Sequence, residues 1–171
     1  MERINKVIVA PIDRADVDTD VILPKQFMRS IEKTGYGGYL FDAWRYSDHG
    51  ELGEHKRERT PNPAFVLNQP RYKQAELLLC RRNFGSGSAR EHAVWAIKEF
   101  GFRFLIAPSY GDIFATNCYK NNVLPVVLEE AVVEELFQRT HAQVHYALTI
   151  DVEWQTVSAP EGDEWRFQLD H

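Results

Sequence analysis

The stretch AELLLCRRNFGSGSAREHAVWAIKEFGFRFLIA, residues 75–107, decides how this chain folds. A short apolar run from Ala75 to Cys80 gives way to a loop holding two glycines and two serines. A periodic segment follows from Ala89 to Phe100, and after Gly101 a second apolar run extends from Phe102 to Ala107. Apolar runs this short, bounded by turn residues, read as strands covered on both faces. Between them Val94, Ile97 and Phe100 form one stripe of a helix that Gly101 ends. Strand, helix and strand in that order predict a right-handed crossover between parallel neighbours.

The pattern continues outward. A helix over Asp112 to Asn121 and a strand over Val123 to Leu128 complete a βαβαβ unit. A helix over Glu129 to Thr140 precedes a strand over Val144 to Ile150. Two strand-like runs, Val152 to Val157 and Trp165 to Leu169, are joined by SAPEGD and read as an antiparallel hairpin. Upstream, Lys6 to Ile12 reads as a strand, Asp13 to Asp20 as an acidic loop and residues 25–33 as a short helix broken by Gly35, Gly37 and Gly38. The aromatic cluster YLFDAWRY, residues 39–46, is expected to pack in the core, and the polar residues 47–62 to form a mobile surface loop. The expected fold is α/β: a parallel central sheet with helices and additional antiparallel strands, in one domain over residues 1–171.

Composition bounds the function. The chain has 171 residues, 44% of them hydrophobic and 26% charged, which suits one folded core. A formal charge of -5 argues against nucleic-acid binding through a basic face, and Lys56-Arg57-Glu58-Arg59 reads as a solvated loop. No stretch is long enough to span a bilayer. Two cysteines, Cys80 and Cys118, make no disulfide framework and no metal cage, so a cytoplasmic location is expected with both thiols as buried packing residues.

Chemistry is concentrated in NFGSGSAREHA, residues 83–93. Ser88 and Glu91 have the spacing of a capping box. A cap alone, however, does not call for Gly85, Gly87 and Arg90 around it. A strand end, a glycine loop and a helix N-terminus expose N–H donors and a positive dipole end to an anion, and Arg90 can pair with a carboxylate or phosphate. A dinucleotide fingerprint fails because Arg90 stands where its third glycine belongs, and no Walker lysine follows. Neither serine has the flanking glycines of a nucleophile elbow, although a pairing of Ser88 with His92 stays open. Asp112 is expected to cap the helix after Gly111.

NFGSGSAREHA, with VDTDVILPKQF upstream and FLIAPSYGDIFATNCYKNNVLPV downstream, resembles the small subunits of 3-isopropylmalate dehydratase in the aconitase superfamily. YLFDAWRY and AFVLNQPRY are similar to the bacterial form. The resemblance implies a swivelling β/β/α domain like the last domain of aconitase. It also implies a hydro-lyase of leucine biosynthesis that isomerises 2-isopropylmalate to 3-isopropylmalate through isopropylmaleate. Activity would require a large subunit, in a heterodimer or higher hetero-oligomer, which carries a 4Fe-4S cluster; this chain would bind no metal, nucleic acid or membrane. Small subunits of related hydro-lyases, acting on homoaconitate or citraconate, and a noncatalytic anion-binding module are the alternatives. Family members continue past FQLDH with a further helix and tail, which are not among the 171 residues.

Residue by residue, the resemblance places a serine base at Ser88 and a carboxylate-binding arginine at Arg90, with Gly87 against the substrate. Thr19-Asp20 matches a Thr-Asp pair at the edge of the active site, Asp20 orienting the serine or contacting substrate. Phe27, Met28 and Arg29 fall where the superfamily has a loop that senses the substrate side chain; as a short helix they also read as one packed face. His92 is expected to hydrogen-bond and shape the loop, with Glu91 in a supporting role. The 83–90 loop is expected to be partly mobile without its partner.

Overall fold

Strand β1, Ile4–Ile12, is nine residues long and is shared by two halves of the molecule. Its C-terminal half pairs in parallel with β2, Leu77–Cys80, through Val9 opposite Leu77 to Ile12 opposite Cys80. Its N-terminal half pairs antiparallel with β5, Ala147–Asp151, from Ile4 opposite Asp151 to Ile8 opposite Ala147. Beyond β2 lie the parallel strands β3, Phe104–Ala107, and β4, Leu124–Val127. Beyond β5 lies the hairpin of β6, Thr156–Ser158, and β7, Glu164–Arg166. The seven-stranded sheet therefore runs β4-β3-β2-β1-β5-β6-β7, parallel on one side of β1 and antiparallel on the other. The computed structural model describes residues 2–52 and 58–169.

Alternation along the strands sends side chains into two cores. Ala10, Ile12, Leu78, Cys80, Leu105 and Ala107 join one core with Val94 and Ile97 of α3, Glu91–Phe100, and Phe114 and Cys118 of α4, Asp112–Lys120. Val7, Val9, Leu77, Leu79, Phe104 and Ile106 join the other with Val133, Leu136 and Phe137 of α5, Glu130–Ala142. Because β2 and β3 are covered on both faces, all their residues are buried. That double cover is why LLLC and FLIA carry no polar alternation.

Between β1 and β2 the chain builds the wall that later frames the site. Helix α1, Thr19–Ile22, starts at Asp18, whose Oδ1 accepts the N–H groups of Asp20 at 2.8 Å and Val21 at 3.0 Å. A 3-10 turn over Lys25–Arg29 replaces the longer helix expected for residues 25–33. Helix α2, Asp42–Arg45, follows the buried Leu40 and Phe41. Phe41 stacks on Trp44 with ring centroids 5.5 Å apart, so the aromatic cluster is core packing as expected.

The described part of the polar stretch 47–62 is largely exposed, as expected of a surface loop, while residues 53–57, with Lys56 and Arg57, lie outside the described residues. Arg59 is not solvated. Its Nη1 and Nη2 donate to both oxygens of Asp42 at 2.9 and 3.0 Å, its Nε donates to Asp48 at 2.6 Å, and the guanidinium lies 4.1 Å from the Tyr46 ring centre. A planar fork matched to two carboxylates holds this end of the stretch against α2. The cluster Lys56-Arg57-Glu58-Arg59 hides this role because Asp42 lies seventeen residues upstream.

Candidate active site

The loop between β2 and α3 is held by its backbone. Gly85 N–H donates to Val17 O at 2.7 Å, Ser86 N–H donates to the same carbonyl at 3.3 Å, and Thr19 N–H donates to Ser86 O at 2.9 Å. Gly85 has φ of +80°, and a side chain there would collide with the Phe114 ring, so both conformation and space demand glycine. The loop is thus pinned to the entry of α1 on one side and to α4 on the other.

Ala89, between Ser88 and Arg90, has φ of +51°. An L-residue in the left-handed region carries strain of about 1–2 kcal/mol, which persists only when surrounding contacts over-determine it. Two contacts do so here. Ala89 N–H donates to Oγ1 of the buried Thr19 at 3.1 Å, and Asn117 Nδ2 donates to Ala89 O at 3.1 Å. Both peptide groups of Ala89 are fixed, and with them the angle at which the chain presents Ser88 and Arg90.

Ser88 and Arg90 are exposed. The Ser88 side chain has no hydrogen bond among the described residues, and neither do the N–H groups of Gly87 and Ser88. Free donors beside the positive end of a ten-residue helix suit an anion. Arg90 lines a recess of about 310 Å³ together with Lys25, Gln26, Met28 and Arg29. Three of those five residues are cationic, which favours an anionic ligand.

Several expectations are corrected. Helix α3 begins at Glu91 with Arg90 as its N-cap and no side-chain cap, so Ser88 and Glu91 form no capping box. Glu91 Oε1 instead accepts Asn121 Nδ2 at 3.0 Å. Asp112 is likewise inside α4, whose N-cap is Gly111. Asp20 is exposed and its Oδ1 accepts the Lys25 N–H at 3.0 Å; no hydrogen bond joins it to Ser88, so of its two expected roles only contact with substrate fits this arrangement. Phe27 is fully buried and stacks on Tyr39 with centroids 4.1 Å apart, so it packs behind the recess while Met28 and Arg29 line it. Asn117, outside the 83–93 motif, is a further contributor that the local sequence pattern does not mark.

His92 packs, where a hydrogen bond was expected of it. Its ring lies edge-on to Tyr36 with centroids 5.3 Å apart and 4.8 Å from Trp95, and its buried Nδ1 has no hydrogen-bond partner. Burial first, and then the charge of Arg90, lower its pKa below 6.5. The unfolded chain therefore binds this proton more readily than the folded one. The stability that His92 contributes is complete above the unfolded pKa of about 6.5 and is lost as pH falls through that value toward the folded one. Thermal unfolding at pH 7.5 and 5.5 should show a smaller acid-induced drop in His92→Phe than in the parent.

Among the described residues no group of three or more His, Cys, Asp or Glu side chains could hold a metal ion. Cys80 and Cys118 are buried, and burial pushes both thiols up. Nor, among the described residues, is any helix long and apolar enough to cross a membrane.

Comparison with known proteins adds to this geometry. Residues 3–131 match the family model described as the aconitase C-terminal domain, and residues 134–171 match the one described as LeuD_N. A 3-isopropylmalate dehydratase small subunit from Methylibium petroleiphilum is 58% identical over 168 residues, covering 98% of this chain and 78% of the relative. The crystal structure of 3-isopropylmalate dehydratase (leuD) from Methanocaldococcus jannaschii is similar with a TM-score of 0.66 at 20% identity. It covers 98% of this chain and 83% of that one, a likeness of fold.

Proposed function

The chain belongs to the family of 3-isopropylmalate dehydratase small subunits, and from that membership we propose that it supplies the proton-transferring base and a carboxylate clamp to an active site completed by a large subunit. The reaction is the isomerisation of 2-isopropylmalate to 3-isopropylmalate through isopropylmaleate, a step of leucine biosynthesis in the cytoplasm. The chain acts as a single swivelling unit in a heterodimer or higher hetero-oligomer.

The observation that carries this reading is the strained Ala89, clamped at both peptide groups, between an exposed serine and an exposed arginine beside a cationic recess. Dehydration needs a base to take a proton from the carbon next to a carboxylate. Ser88 Oγ takes it in the first half-reaction and returns a proton to the adjacent carbon on rehydration. A serine hydroxyl is a weak base, so its ionised form must be stabilised by nearby donors. The free N–H groups of Gly87 and Ser88 and the positive charge of Arg90 are suited to that work. Arg90 and Arg29 engage the substrate carboxylates, and Met28 offers apolar surface to the isopropyl group. Thr19 holds the loop, and Asp20 Oδ1 accepts the amide N–H of Lys25, a residue that lines the recess.

The 4Fe-4S cluster belongs on the partner and, when bound there, supplies a Lewis acid for the departing hydroxyl. Mixing this chain with a cluster-loaded large subunit and following isopropylmaleate absorbance tests the proposal. Turnover of 2-isopropylmalate should need both chains. Turnover of homoaconitate or citraconate in preference to isopropylmalate would assign a different hydro-lyase, and tight assembly without turnover of any of them would leave a noncatalytic module.

A further inference from the structure

Asn117 belongs to α4, outside the loop and the recess, and lies on the buried stripe that also carries Phe114 and Cys118. Its Nδ2 donates to Ala89 O, and its backbone carbonyl accepts Asn121 Nδ2 at 2.8 Å. Asn121 in turn donates to Glu91 Oε1 and accepts Trp95 Nε1 at 3.2 Å, so the C-cap of α4 also grips the first turns of α3. Across the loop Thr19 Oγ1 takes the Ala89 N–H. The left-handed residue is therefore held from two elements that approach it from different parts of the chain. Each contact holds one peptide group of Ala89, and a turn of either group would let φ relax to negative values and release the strain.

We propose that Asn117 is a positioning residue: with Thr19 it locks Ala89 in the left-handed conformation and so sets the geometry between Ser88 and Arg90. The assignment of those two residues rests on the functional reading above, but the lock itself does not. Removal of the Asn117 amide frees the Ala89 carbonyl, the strain is released, and the serine and arginine lose their shared register.

The test uses the assembled enzyme and the full chain. Asn117→Ala should lower kcat by about thirtyfold, as expected for a misplacement of the order of an ångström, with a smaller effect on KM. Adding Ala89→Gly to that variant should recover about tenfold of the loss, since glycine occupies positive φ without strain. A purely structural asparagine would lower the unfolding temperature but give a complex of parental kcat, and the glycine would rescue nothing. Amide exchange in the assembled enzyme gives a readout independent of turnover. The Ala89 N–H should exchange at least about tenfold faster in Asn117→Ala, because its bond to Thr19 opens with the lock. Parental exchange at Ala89 would overturn the lock. Faster exchange with Ser88→Ala still fully active would leave the lock standing and remove the functional reading instead.

Discussion

Replacing Ser88 by alanine is expected to cut turnover of the assembled enzyme by about a thousandfold or more, the range for loss of a group that carries a proton in the transition state. KM should change little, because the amides of Gly87 and Ser88 and the guanidinium of Arg90 remain. Assembly with the large subunit should survive. Stability should stay within about 0.5 kcal/mol of the parent, since Ser88 is exposed and its side chain makes no hydrogen bond among the described residues. That separation gives the substitution its force: chemistry falls while folding and association do not. Steady-state kinetics with saturating large subunit and a thermal melt suffice to read it. Retention of more than about a tenth of parental kcat would remove Ser88 from the role of base.

The parallel half of the sheet was readable from sequence because its signal is local. LLLC and FLIA are apolar at every position, and burial on both faces of β2 and β3 is the direct cause. The start of α3 was not readable in the same way. Ser88 and Glu91 have capping spacing, yet the groups that decide the backbone at Ala89 lie 70 residues upstream, at Thr19, and 28 downstream, at Asn117. Tertiary bonds of that reach override a four-residue pattern. Asn117 itself left a trace: a polar residue on the apolar stripe of Phe114 and Cys118 must find a buried partner. Phe27 shows the opposite case. Neighbouring residues of a short segment share no single fate, and only the stacking of its ring on Tyr39 shows that Phe27 faces the core while Met28 and Arg29 face the recess.

Arg90→Lys should lower kcat/KM by about a hundredfold although the charge is kept, and Arg90→Met by about a thousandfold. A bidentate guanidinium–carboxylate contact depends on a rigid fork that an ammonium cannot reproduce. The recess makes the comparison sharper, because Lys25 and Arg29 already supply positive charge there, so a site that needed charge alone would tolerate lysine. His92 provides a control within the same molecule. The charge of Arg90 is the second cause of its lowered pKa, after burial, so titration of the His92 ring by NMR should move upward in Arg90→Met and stay near the parent in Arg90→Lys. If lysine restores both the titration and the kinetics, Arg90 acts through its field. If it restores the titration alone, the fork holds the substrate carboxylate.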